Sequence, residues 1–437
     1  MIEGALETLS ERGHEVVGVV LAGGKEKLPA KGLDAIGGYP VSIDDDARQA
    51  LDDALVEHEP DAVMDLSDEP VLDYRKRHQL AAIALARGVA YQGSDFEFRP
   101  PPRPRIATKP SIAIIATGKR TGKTAVSSFI ARNLVAAGRR PAIVAMGRGG
   151  PAEPEVIRGD EMDLDPRALL EMADQGKHAA SDFVEDALFA RVPTVGCRRC
   201  GGGMAGGVDI SNVSRGVEIA NELPGDILIF EGSGASIPPV HADVTVLVVP
   251  AGVDPEHVAG YMGPYRLLLA DYGVVTMCEN PFGSPSQVST LSSLIRNAFR
   301  IDRGEPPKEI EVVRTVFRSV PTRSVEGAAV FLATTAPEAV GDSLREHLEN
   351  EHGCRVVGIS HALSDRAKLE KDLEGLKEAD TLLSEVKAAG IDVATRRALD
   401  EGLDVVFVDN HPVGTENDDP AAMAVEAAEL ASRRFDG

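Results

Sequence analysis

The sequence predicts an α/β protein whose core is a largely parallel β-sheet, with one α/β region before it and another after it. Two observations lead to this prediction. Apolar runs typical of buried strands alternate with segments of helical periodicity along the chain, and strands separated by helices favour parallel pairing. In addition, one apolar run leads directly into a basic, glycine-containing turn, "TGKRTGKT" at residues 117–124, a pattern that joins a strand to a helix in such sheets.

The composition limits the kind of protein this is. The 437 residues are enough for two or three domains. The chain has 69 Asp and Glu against 46 Lys and Arg, a net charge of −23, which predicts a halophilic, salt-adapted host, with an acidic mesophilic protein as the alternative. This charge disfavours nucleic acid as a partner. The four cysteines and the lack of a membrane-length apolar run or signal peptide favour a soluble cytoplasmic protein.

Residues 1–98 are predicted to form an N-terminal Rossmann-like α/β domain. Strand-like runs in "HEVVGVVLAGG" and "PDAVMDLSDEP" alternate with helical segments near 47–56 and 74–87. The chain opens on an amphipathic helix pattern, "MIEGALETLSERGHEV", whereas such domains usually open on a strand. We therefore expect either that the first strand is supplied differently or that the true start lies upstream. The Pro-rich stretch at residues 99–110 is predicted to be a stiff linker.

A second α/β region is predicted over residues 111–305, with strands near 112–116, 141–146, 226–230, 244–249 and 273–277. The segment "IDRGEPPKEI" is predicted to be a junction. Residues 306–437 repeat the alternation in "AAVFLATTA", "CRVVGIS", "ADTLLSEVKA" and "DVVFVDN". We therefore predict a C-terminal α/β portion that packs on the second region.

The turn at residues 117–124 has the chemistry of a phosphate-binding P-loop. It matches the pattern G-x-x-x-x-G-K-S/T except that Thr117 takes the place of the first glycine and Gly118 follows it. Glycines let backbone N–H groups turn towards an anion, and the helix expected after the turn presents the positive end of its dipole. We therefore predict a P-loop NTPase-like core; a helix start with accidental glycines is the simpler alternative.

This turn predicts a site for ATP and Mg²⁺. Lys123 is expected to reach the β- and γ-phosphates, with Lys119 and Arg120 neutralising a transferring phosphoryl group, so these three are the candidate catalytic residues. Thr124 is expected to hold Mg²⁺ together with Glu231, which ends the strand-like run "GDILIFE", and Asp182. The alternatives are a strand-capping glutamate and a solvated acidic helix start. The predicted ATP-binding residues are Thr117, Gly118, Thr121, Gly122, Lys123, Thr124 and Ala125.

Two further stretches combine arginine with glycine and predict a second anion site. They are "GRGGPAEPEVIRGD" and "CRRCGGG". Arginine binds phosphate bidentately and glycine turns form anion-binding nests, and one triphosphate does not require so many cationic turns. The alternative for the first stretch is surface ion pairing with its own acids, Glu153, Glu155 and Asp160. The predicted substrate-binding residues are Arg148, Gly149, Gly150, Arg158, His178, Arg198, Arg199, Gly201 and Gly202.

Two residue pairs have spacings that suggest a site. His178 and Asp182 are four residues apart and are expected to share one helix face. Cys197 and Cys200 have the spacing of zinc and redox motifs. The two arginines between these cysteines would repel a metal ion, so we expect the thiols to pack as small apolar groups.

Several of these stretches, in this order, resemble the archaeal cyclic 2,3-diphosphoglycerate synthetases: "GKRTGKTAVS", "VAMGRGGPAEPEV", "HAASDFVEDAL", "TVGCRRCGGGMAG" and "FEGSGASIPPV". The strings "VMDLSDEPVLDY", "FLATTAP" and "SEVKAAGIDVAT" extend the resemblance over nearly the whole chain. "TAVSS" and "FEGSGA" are also similar to P-loop enzymes of the dethiobiotin synthetase type. The cyclic 2,3-diphosphoglycerate synthetases open on a strand with a "DGEHY"-type segment, which is not found here.

The resemblance implies an ATP-dependent ligase (cyclase) that closes 2,3-diphosphoglycerate into its cyclic form and releases ADP and phosphate. It also implies Mg²⁺, with K⁺ as an expected activator, and a homodimer, since P-loop relatives of this branch are often dimers. The partner is then a small molecule, and neither nucleic acid nor a membrane. The residues leave two alternatives open: a 2-phosphoglycerate kinase, which needs fewer anion sites, and a non-enzymatic nucleotide switch or assembly protein.

Overall fold

The computed structural model describes residues 2–23, 35–306 and 308–437. Its α-helices are α1 (Ile2–Glu11), α2 (Ala47–His58), α3 (Tyr74–Ala86), α4 (Lys123–Ala136), α5 (Pro166–Asp174), α6 (Asp182–Ala190), α7 (Val213–Glu222), α8 (Glu256–Ala259), α9 (Gly263–Leu269), α10 (Pro285–Arg296), α11 (Gly341–His352), α12 (Arg366–Asp372), α13 (Arg396–Asp400) and α14 (Pro420–Asp436). Short 3-10 turns lie at Glu338–Val340 and Leu373–Glu378, and a π-helical turn at Gly390–Thr395.

The strands are β1 (Val19–Val20), β2 (Ala35–Ile36), β3 (Tyr39–Ser42), β4 (Ala62–Met64), β5 (Ala90–Gln92), β6 (Glu97–Phe98), β7 (Ser111–Ala116), β8 (Pro141–Gly147), β9 (Glu155–Arg158), β10 (Pro193–Cys200), β11 (Ile210–Ser211), β12 (Ile227–Glu231), β13 (Val244–Pro250), β14 (Tyr272–Thr276), β15 (Glu311–Pro321), β16 (Ala329–Ala333), β17 (Arg355–Ser360), β18 (Thr381–Ser384) and β19 (Asp404–Gly414). They form two compact units. The first unit comprises Met1–Pro102, Asp254–Leu269 and Leu294–Ile310, and the second comprises Arg103–Val253, Ala270–Ser293 and Glu311–Gly437.

The first unit contains two small sheets, in the orders β1-β3-β2 and β4-β5-β6. Asp46 and Asp73 start α2 and α3 by accepting hydrogen bonds from backbone N–H groups in the first turn, as N-cap carboxylates commonly do. The strand predicted in "HEVVGVVLAGG" is observed only at Val19–Val20, and its last glycine, Gly24, lies outside the described residues.

The second unit is built on one sheet, in which the described residues form thirteen strands. The order is β11-β10-β8-β12-β7-β13-β14-β15-β19-β18-β16-β17, with β9 also on β10. The strands from β10 to β15 run parallel, β19 is antiparallel to β15, and β19, β18, β16 and β17 are again mutually parallel. The sheet therefore consists of two parallel halves, and the second half is the C-terminal portion.

The register of β15 and β19 turns the two halves towards each other. The beginning of β15 pairs with β14, and its remainder, Thr315–Pro321, pairs with β19. The beginning of β19 pairs with β18, and its remainder pairs with β15. Because the halves are staggered and run in opposite directions, the carboxyl ends of their strands face the same space. Loops at the carboxyl ends of parallel strands commonly hold the ligand.

The α/β fold with a mostly parallel sheet is confirmed. The five strands predicted between residues 111 and 305 are observed to within one residue at each end. Among the longer strands of the second unit, β10 and β15 were not predicted. β10 contains the stretch expected to be an arginine–glycine loop, and β15 lies next to the predicted junction. Both carry charged residues among apolar ones, which weakens the pattern of a buried strand.

Candidate functional site

The P-loop turn connects β7 to α4 at the carboxyl edge of the sheet. Gly122 precedes α4 with a φ of +82°, and no side chain caps the helix, so the first N–H groups of α4 are available to an anion. A Cβ at Gly122 would overlap the ring of Phe317. This glycine is therefore required both by the backbone conformation and by packing.

Lys123 and Thr124, the first residues of α4, contact the carboxylate of Glu231. Glu231 ends β12, which pairs in parallel with β7, so its side chain lies at the same edge as the P-loop. Lys123 Nζ lies 3.3 Å from Glu231 Oε1, and Thr124 Oγ1 donates to that oxygen at 2.7 Å. Glu231 is fully buried. The strand-ending carboxylate expected from the sequence thus lies beside the P-loop.

Two buried acids on α6, Glu185 and Asp186, lie close to Glu231 and Lys387. Asp186 Oδ1 accepts a hydrogen bond from Ser128 Oγ at 2.8 Å. Burial and the charge of Glu231 raise the pKa of Asp186. Glu185 Oε1 lies 3.0 Å from Lys387 Nζ, and burial raises the pKa of Glu185 to about 8. Because a raised pKa favours the neutral acid, Asp186 can lie beside Glu231 at a lower electrostatic cost than a second carboxylate would.

The oxygen atoms at this edge fit a magnesium ion. Thr124 Oγ1 and the buried carboxylate of Glu231 are hard donors of the type that Mg²⁺ prefers. Asp182 lines the adjoining cavity, and its charge acts on Glu231. Within the described residues, no three His, Cys, Asp or Glu side chains are grouped so that they could hold a metal. Mg²⁺ would therefore take most of its ligands from phosphate and water.

Cationic side chains gather at the glycine turn that follows β12. Arg199 is buried and donates from Nη2 to Ser233 O at 2.9 Å. A Cβ on Gly234 would lie 3.6 Å from Arg199 Nη2 and 3.4 Å from Lys119 Cγ, so both side chains meet at this turn. Burial, together with the positive charge of Arg148, lowers the pKa of Arg199. Lys119, Arg148 and Arg199 therefore form one cluster.

The protein does not neutralise this cluster. Across the described residues, Lys119, Arg120 and Arg148 form no ion pair or hydrogen bond, and the buried Nε of Arg199 has no partner. Like charges held together raise the free energy of the folded state unless an anion lies between them. In a chain with a net charge of −23, this arrangement indicates an anion-binding site.

The P-loop and the free cations open on a cavity of about 1280 Å³. The predicted site residues that line it are Gly118, Lys119, Arg120, Thr121, Gly122, Lys123, Thr124, Ala125, Arg148, Gly149, Gly150, His178 and Asp182. The C-terminal half supplies the opposite side, including Thr335, His347 and Lys387. Thr117, Arg199, Gly201, Gly202 and Glu231 are not among the lining residues. Arg199 contacts the cavity lining indirectly, because it donates to Ser233, which lines the cavity. Its Nη1 donates to Gly201 O at 2.6 Å.

Arg158 and Arg198 do not lie at the cavity, contrary to the sequence expectation. Arg158 Nη2 pairs with Asp160 Oδ2 at 2.6 Å, in agreement with the ion-pair alternative. Arg198 and Arg199 are neighbours in β10, and successive side chains in a strand point to opposite faces. Since Arg199 is buried towards Ser233, Arg198 points away, and its Nε donates to Gly150 O at 2.7 Å.

The two residue pairs also differ from expectation. α6 begins at Asp182 after an extended Ser181, so His178 precedes the helix and the two do not share a helix face. Cys197 is buried against α7, as expected of a small apolar group, whereas Cys200 is exposed. Of the acids in "SDFVED", Asp182 was chosen from the sequence. Glu185 and Asp186 were missed, because which face of α6 is buried depends on where the helix begins.

A parallel sheet with a phosphate-binding turn after one strand, and a buried carboxylate at the end of the neighbouring strand, defines a P-loop nucleotide-binding protein. Among the helices that the structure describes, none is long and apolar enough to cross a membrane.

Three family models match the chain. They are the cyclic 2,3-diphosphoglycerate synthetase N-terminal domain over residues 1–99, its P-loop domain over 111–303 and its C-terminal domain over 321–411. The chain belongs to the cyclic 2,3-diphosphoglycerate synthetase family, which confirms the resemblance seen in the sequence.

Curated relatives with this name match over almost the full length. The protein from Methanothermobacter thermautotrophicus is 45% identical over 97% of this chain and 93% of its own. The protein from the bacterium Rubrobacter xylanophilus is 47% identical over 95% and 92%, so the expectation of an archaeal protein is not supported. Among solved structures, the apo form of LpxK from Aquifex aeolicus in complex with ATP has a TM-score of 0.43 and 14% identity, covering 76% of this chain and 90% of that one.

Proposed function

We propose that this protein uses ATP to convert 2,3-diphosphoglycerate into cyclic 2,3-diphosphoglycerate, releasing ADP and phosphate. The observation that carries the proposal is the cluster of Lys119, Arg148 and Arg199 beside the P-loop. A triphosphate in the P-loop is met by its N–H groups and by Lys123, and this cluster provides a second place for a highly charged anion. The names of the relatives give that anion its identity.

The chemistry requires two phosphates to approach each other. The γ-phosphoryl group of ATP passes to one phosphate of the substrate, and ADP leaves. The neighbouring phosphate then attacks the phosphorus that was originally bound to the substrate and expels inorganic phosphate, which closes the ring. An ionised phosphate is already a nucleophile, so a protein base is not required. Neutralising and positioning the anions supplies most of the catalysis.

We assign the roles accordingly. Lys119, Arg120 and Lys123 stabilise the transferring phosphoryl group, and the P-loop residues hold the nucleotide. Arg148, Gly149, Gly150 and His178 contact the acceptor, with Arg199 fixing the glycine turn beside it. Thr124, Glu231 and Asp182 would hold Mg²⁺, which when bound would neutralise phosphate charge and orient the triphosphate.

Phosphorus NMR tests the reaction directly. The protein is incubated with ATP and Mg²⁺, and with either 2,3-diphosphoglycerate or 2-phosphoglycerate. The expected result is a cyclic product from 2,3-diphosphoglycerate, with one ADP and one phosphate per ring. Product formation that stops at 2,3-diphosphoglycerate would indicate a kinase. ATP turnover that is unaffected by either compound would indicate a nucleotide switch.

Arginine substitutions test the anion site. Arg148→Met is expected to raise KM for 2,3-diphosphoglycerate by about tenfold or more, because a charge-assisted phosphate contact is lost. Arg158→Met tests whether Arg158 binds the substrate, as the sequence predicted. Because its side chain is paired with Asp160, near-wild-type kinetics are expected. Arg215→Met, an exposed arginine on α7 paired with Glu218, is the surface control. Equal effects of Arg148→Met and Arg215→Met would exclude the proposed site.

Several finer properties belong to the same proposal. We infer that K⁺ activates the enzyme, that it acts as a homodimer, and that it works in a salt-rich cytoplasm. Activity in KCl compared with NaCl at equal ionic strength tests the first property. Light scattering of the protein as it elutes from a size-exclusion column tests whether it is a homodimer. Unfolding at increasing KCl concentrations tests adaptation to salt, because screening relieves repulsion within an acidic chain.

A further inference from the structure

Lys387 is one of several cations lining the cavity that have no role in the scheme above. Lys387 follows β18 in the C-terminal half and lines the same cavity as the P-loop. Its side chain is 34% exposed, whereas that of its partner Glu185 is 5% exposed. The carboxylate thus lies within the protein, and the lysine is the accessible member of the pair.

Lys387 keeps its positive charge and has donors to spare. Burial alone would lower its pKa, but the charges of Glu185 and Glu385 outweigh burial and raise it. Its Nζ lies 3.0 Å from Glu185 Oε1, the only ion pair that Lys387 makes among the described residues. An ammonium group has three donors, so this pair leaves Lys387 able to bind a further anion.

Glu385 does not compete for these donors. Its Oε1 accepts hydrogen bonds from Thr334 Oγ1 at 2.8 Å and Asn410 Nδ2 at 3.2 Å. Its Oε2 accepts from Thr335 Oγ1 at 2.6 Å and Thr335 N at 3.0 Å. Four donors therefore satisfy both oxygens, and they lower the pKa of Glu385 together with the charge of Lys387, although burial opposes this.

Two arginines near Lys387 are already paired through their guanidinium groups. Arg318 donates to Glu279 through two nitrogens, at 2.6 and 2.9 Å. Arg366 Nη2 donates to Asp392 Oδ2 at 2.6 Å. Both arginines line the cavity, but bidentate or short arginine–carboxylate pairs are strong and are not easily exchanged for a ligand. Lys387, with one partner and a flexible chain, is better suited to bind a ligand in addition to its partner.

We propose that Lys387 binds the phosphorylated acceptor, 2,3-diphosphoglycerate, from the side opposite the P-loop. The inference rests on the function proposed above and adds a substrate-binding residue to it. The stagger of β15 and β19 brings the loop after β18 to face the loop after β7. The triphosphate is met by the P-loop, so the acceptor is the ligand that remains for the C-terminal half. On binding, the ammonium keeps its contact with Glu185 and donates to a substrate phosphate with its remaining N–H groups.

Binding of 2,3-diphosphoglycerate and of an ATP analogue, each measured by titration calorimetry on the full chain, tests this role. Lys387→Met is expected to weaken binding of 2,3-diphosphoglycerate by about tenfold or more, while affinity for the ATP analogue stays within about twofold. Lys387→Arg should recover part of the loss, because the charge is retained. The matched control is Lys368→Met, an exposed lysine of the same half that pairs with Glu338.

Lys387→Met leaves Glu185 buried without its partner, which is expected to destabilise the fold. The double variant Lys387→Met with Glu185→Gln removes both charges, so its fold does not depend on a stranded carboxylate. It is expected to bind 2,3-diphosphoglycerate as weakly as the single variant. Wild-type affinity of the double variant for this ligand, or a loss confined to the ATP analogue, would overturn the role of Lys387. Failure of the wild-type protein to bind 2,3-diphosphoglycerate would overturn the proposed function instead, and the inference with it.

Discussion

Gly122 and Phe317 illustrate how a single contact supports the phosphate-binding turn. Gly122 combines a positive φ with close packing against the Phe317 ring of β15. The motif explains the first requirement, because a P-loop needs N–H groups turned inwards. The second requirement comes from a strand almost two hundred residues further along, where the C-terminal half begins to pair with the rest of the sheet.

Gly122→Ala is expected to weaken ATP binding by about tenfold or more, because displacing the ring and straining the backbone together cost on the order of 1–3 kcal/mol. The matched comparison is Gly122→Ala combined with Phe317→Ala, since the second substitution removes the ring that the Cβ would meet. Titration with a fluorescent ATP analogue measures both. If the two variants bind equally well, packing against Phe317 does not shape the turn.

Arg198 and Arg199 show that the sequence alone does not predict which of two neighbouring charged side chains faces the site. The sequence places them side by side, and both were expected at the anion site. In β10 they project to opposite faces, and only Arg199 supports the glycine turn after Glu231. Local composition therefore identified the correct stretch but not which arginine serves the site.

The packing of a helix on a strand also depends on a single glycine. α7 lies directly on β10 because Gly216 leaves room for Cys197: a Cβ at Gly216 would overlap Cys197 Sγ, while Val144 and Val195 would be at ordinary contact distance, 3.5 Å. The buried cysteine of the Cys-x-x-Cys pair therefore has a packing role.

Gly216→Ala is expected to destabilise the protein by about 1–3 kcal/mol, because overpacking outweighs the gain in helix propensity of roughly 1 kcal/mol. Adding Cys197→Ala removes Sγ and should rescue part of this loss. Ser214→Ala, at an exposed position of the same helix, reports propensity alone. Urea unfolding of wild type, of the single variants Gly216→Ala and Cys197→Ala and of the double variant gives the coupling energy. Strict additivity of the two substitutions would contradict the proposed contact.

Asp409 joins β19 to α4. Arg132 Nη1 donates to Asp409 Oδ2 at 2.6 Å, and His411 Nε2 lies 3.0 Å from the same oxygen. Burial alone would raise the pKa of Asp409, but the hydrogen bond from His411 and the charge of Arg132 outweigh it and lower the pKa. Since the folded pKa is below the unfolded value, the ionised carboxylate stabilises the fold above roughly pH 4. That contribution is lost as the pH falls through the folded pKa.

Asp409→Asn is expected to reduce the free energy of unfolding by about 3–5 kcal/mol at pH 7, because Arg132 loses its buried partner. The difference from wild type should shrink as the pH is lowered from 7 to 3. Asp404→Asn, at an exposed position of the same strand, is expected to cost about 1 kcal/mol or less. Urea titrations at several pH values measure these differences. A constant difference for Asp409→Asn across that range would contradict the assignment.

The second unit as a whole is held together by one sheet and by an apolar core cluster that spans both halves. The core cluster combines Ile114 and Val126 from the P-loop half with Phe331, Leu382 and Phe407 from the C-terminal half. Two parallel halves that share a core and a pair of long strands are expected to unfold together. The predicted boundary near residue 305 is therefore best tested by whether the P-loop region folds without the C-terminal half.

A chain ending at Pro321 is expected to be insoluble or partly unfolded and not to bind ATP, because β15 loses β19 and the shared core is left open. Co-expression of residues 322–437 as a separate chain should restore solubility and ATP binding. Circular dichroism and nucleotide titration measure both properties. A soluble truncated chain with wild-type affinity for ATP would show that the two halves fold independently.

Contiguous patterns in the chain were sufficient for the α/β class, the P-loop, the strand that ends at Glu231 and the family, because each is written in neighbouring residues whose spacing fixes their local structure. The inward side of β10, the buried face of α6 and the approach of Lys387 to the P-loop were decided only by the folded chain. Each depends on strand register or on the residue at which a helix starts, and a shift of one residue there redirects the side chain. The pairing of β15 with β19, which closes the cavity, joins segments about ninety residues apart, and no local pattern encodes such a contact.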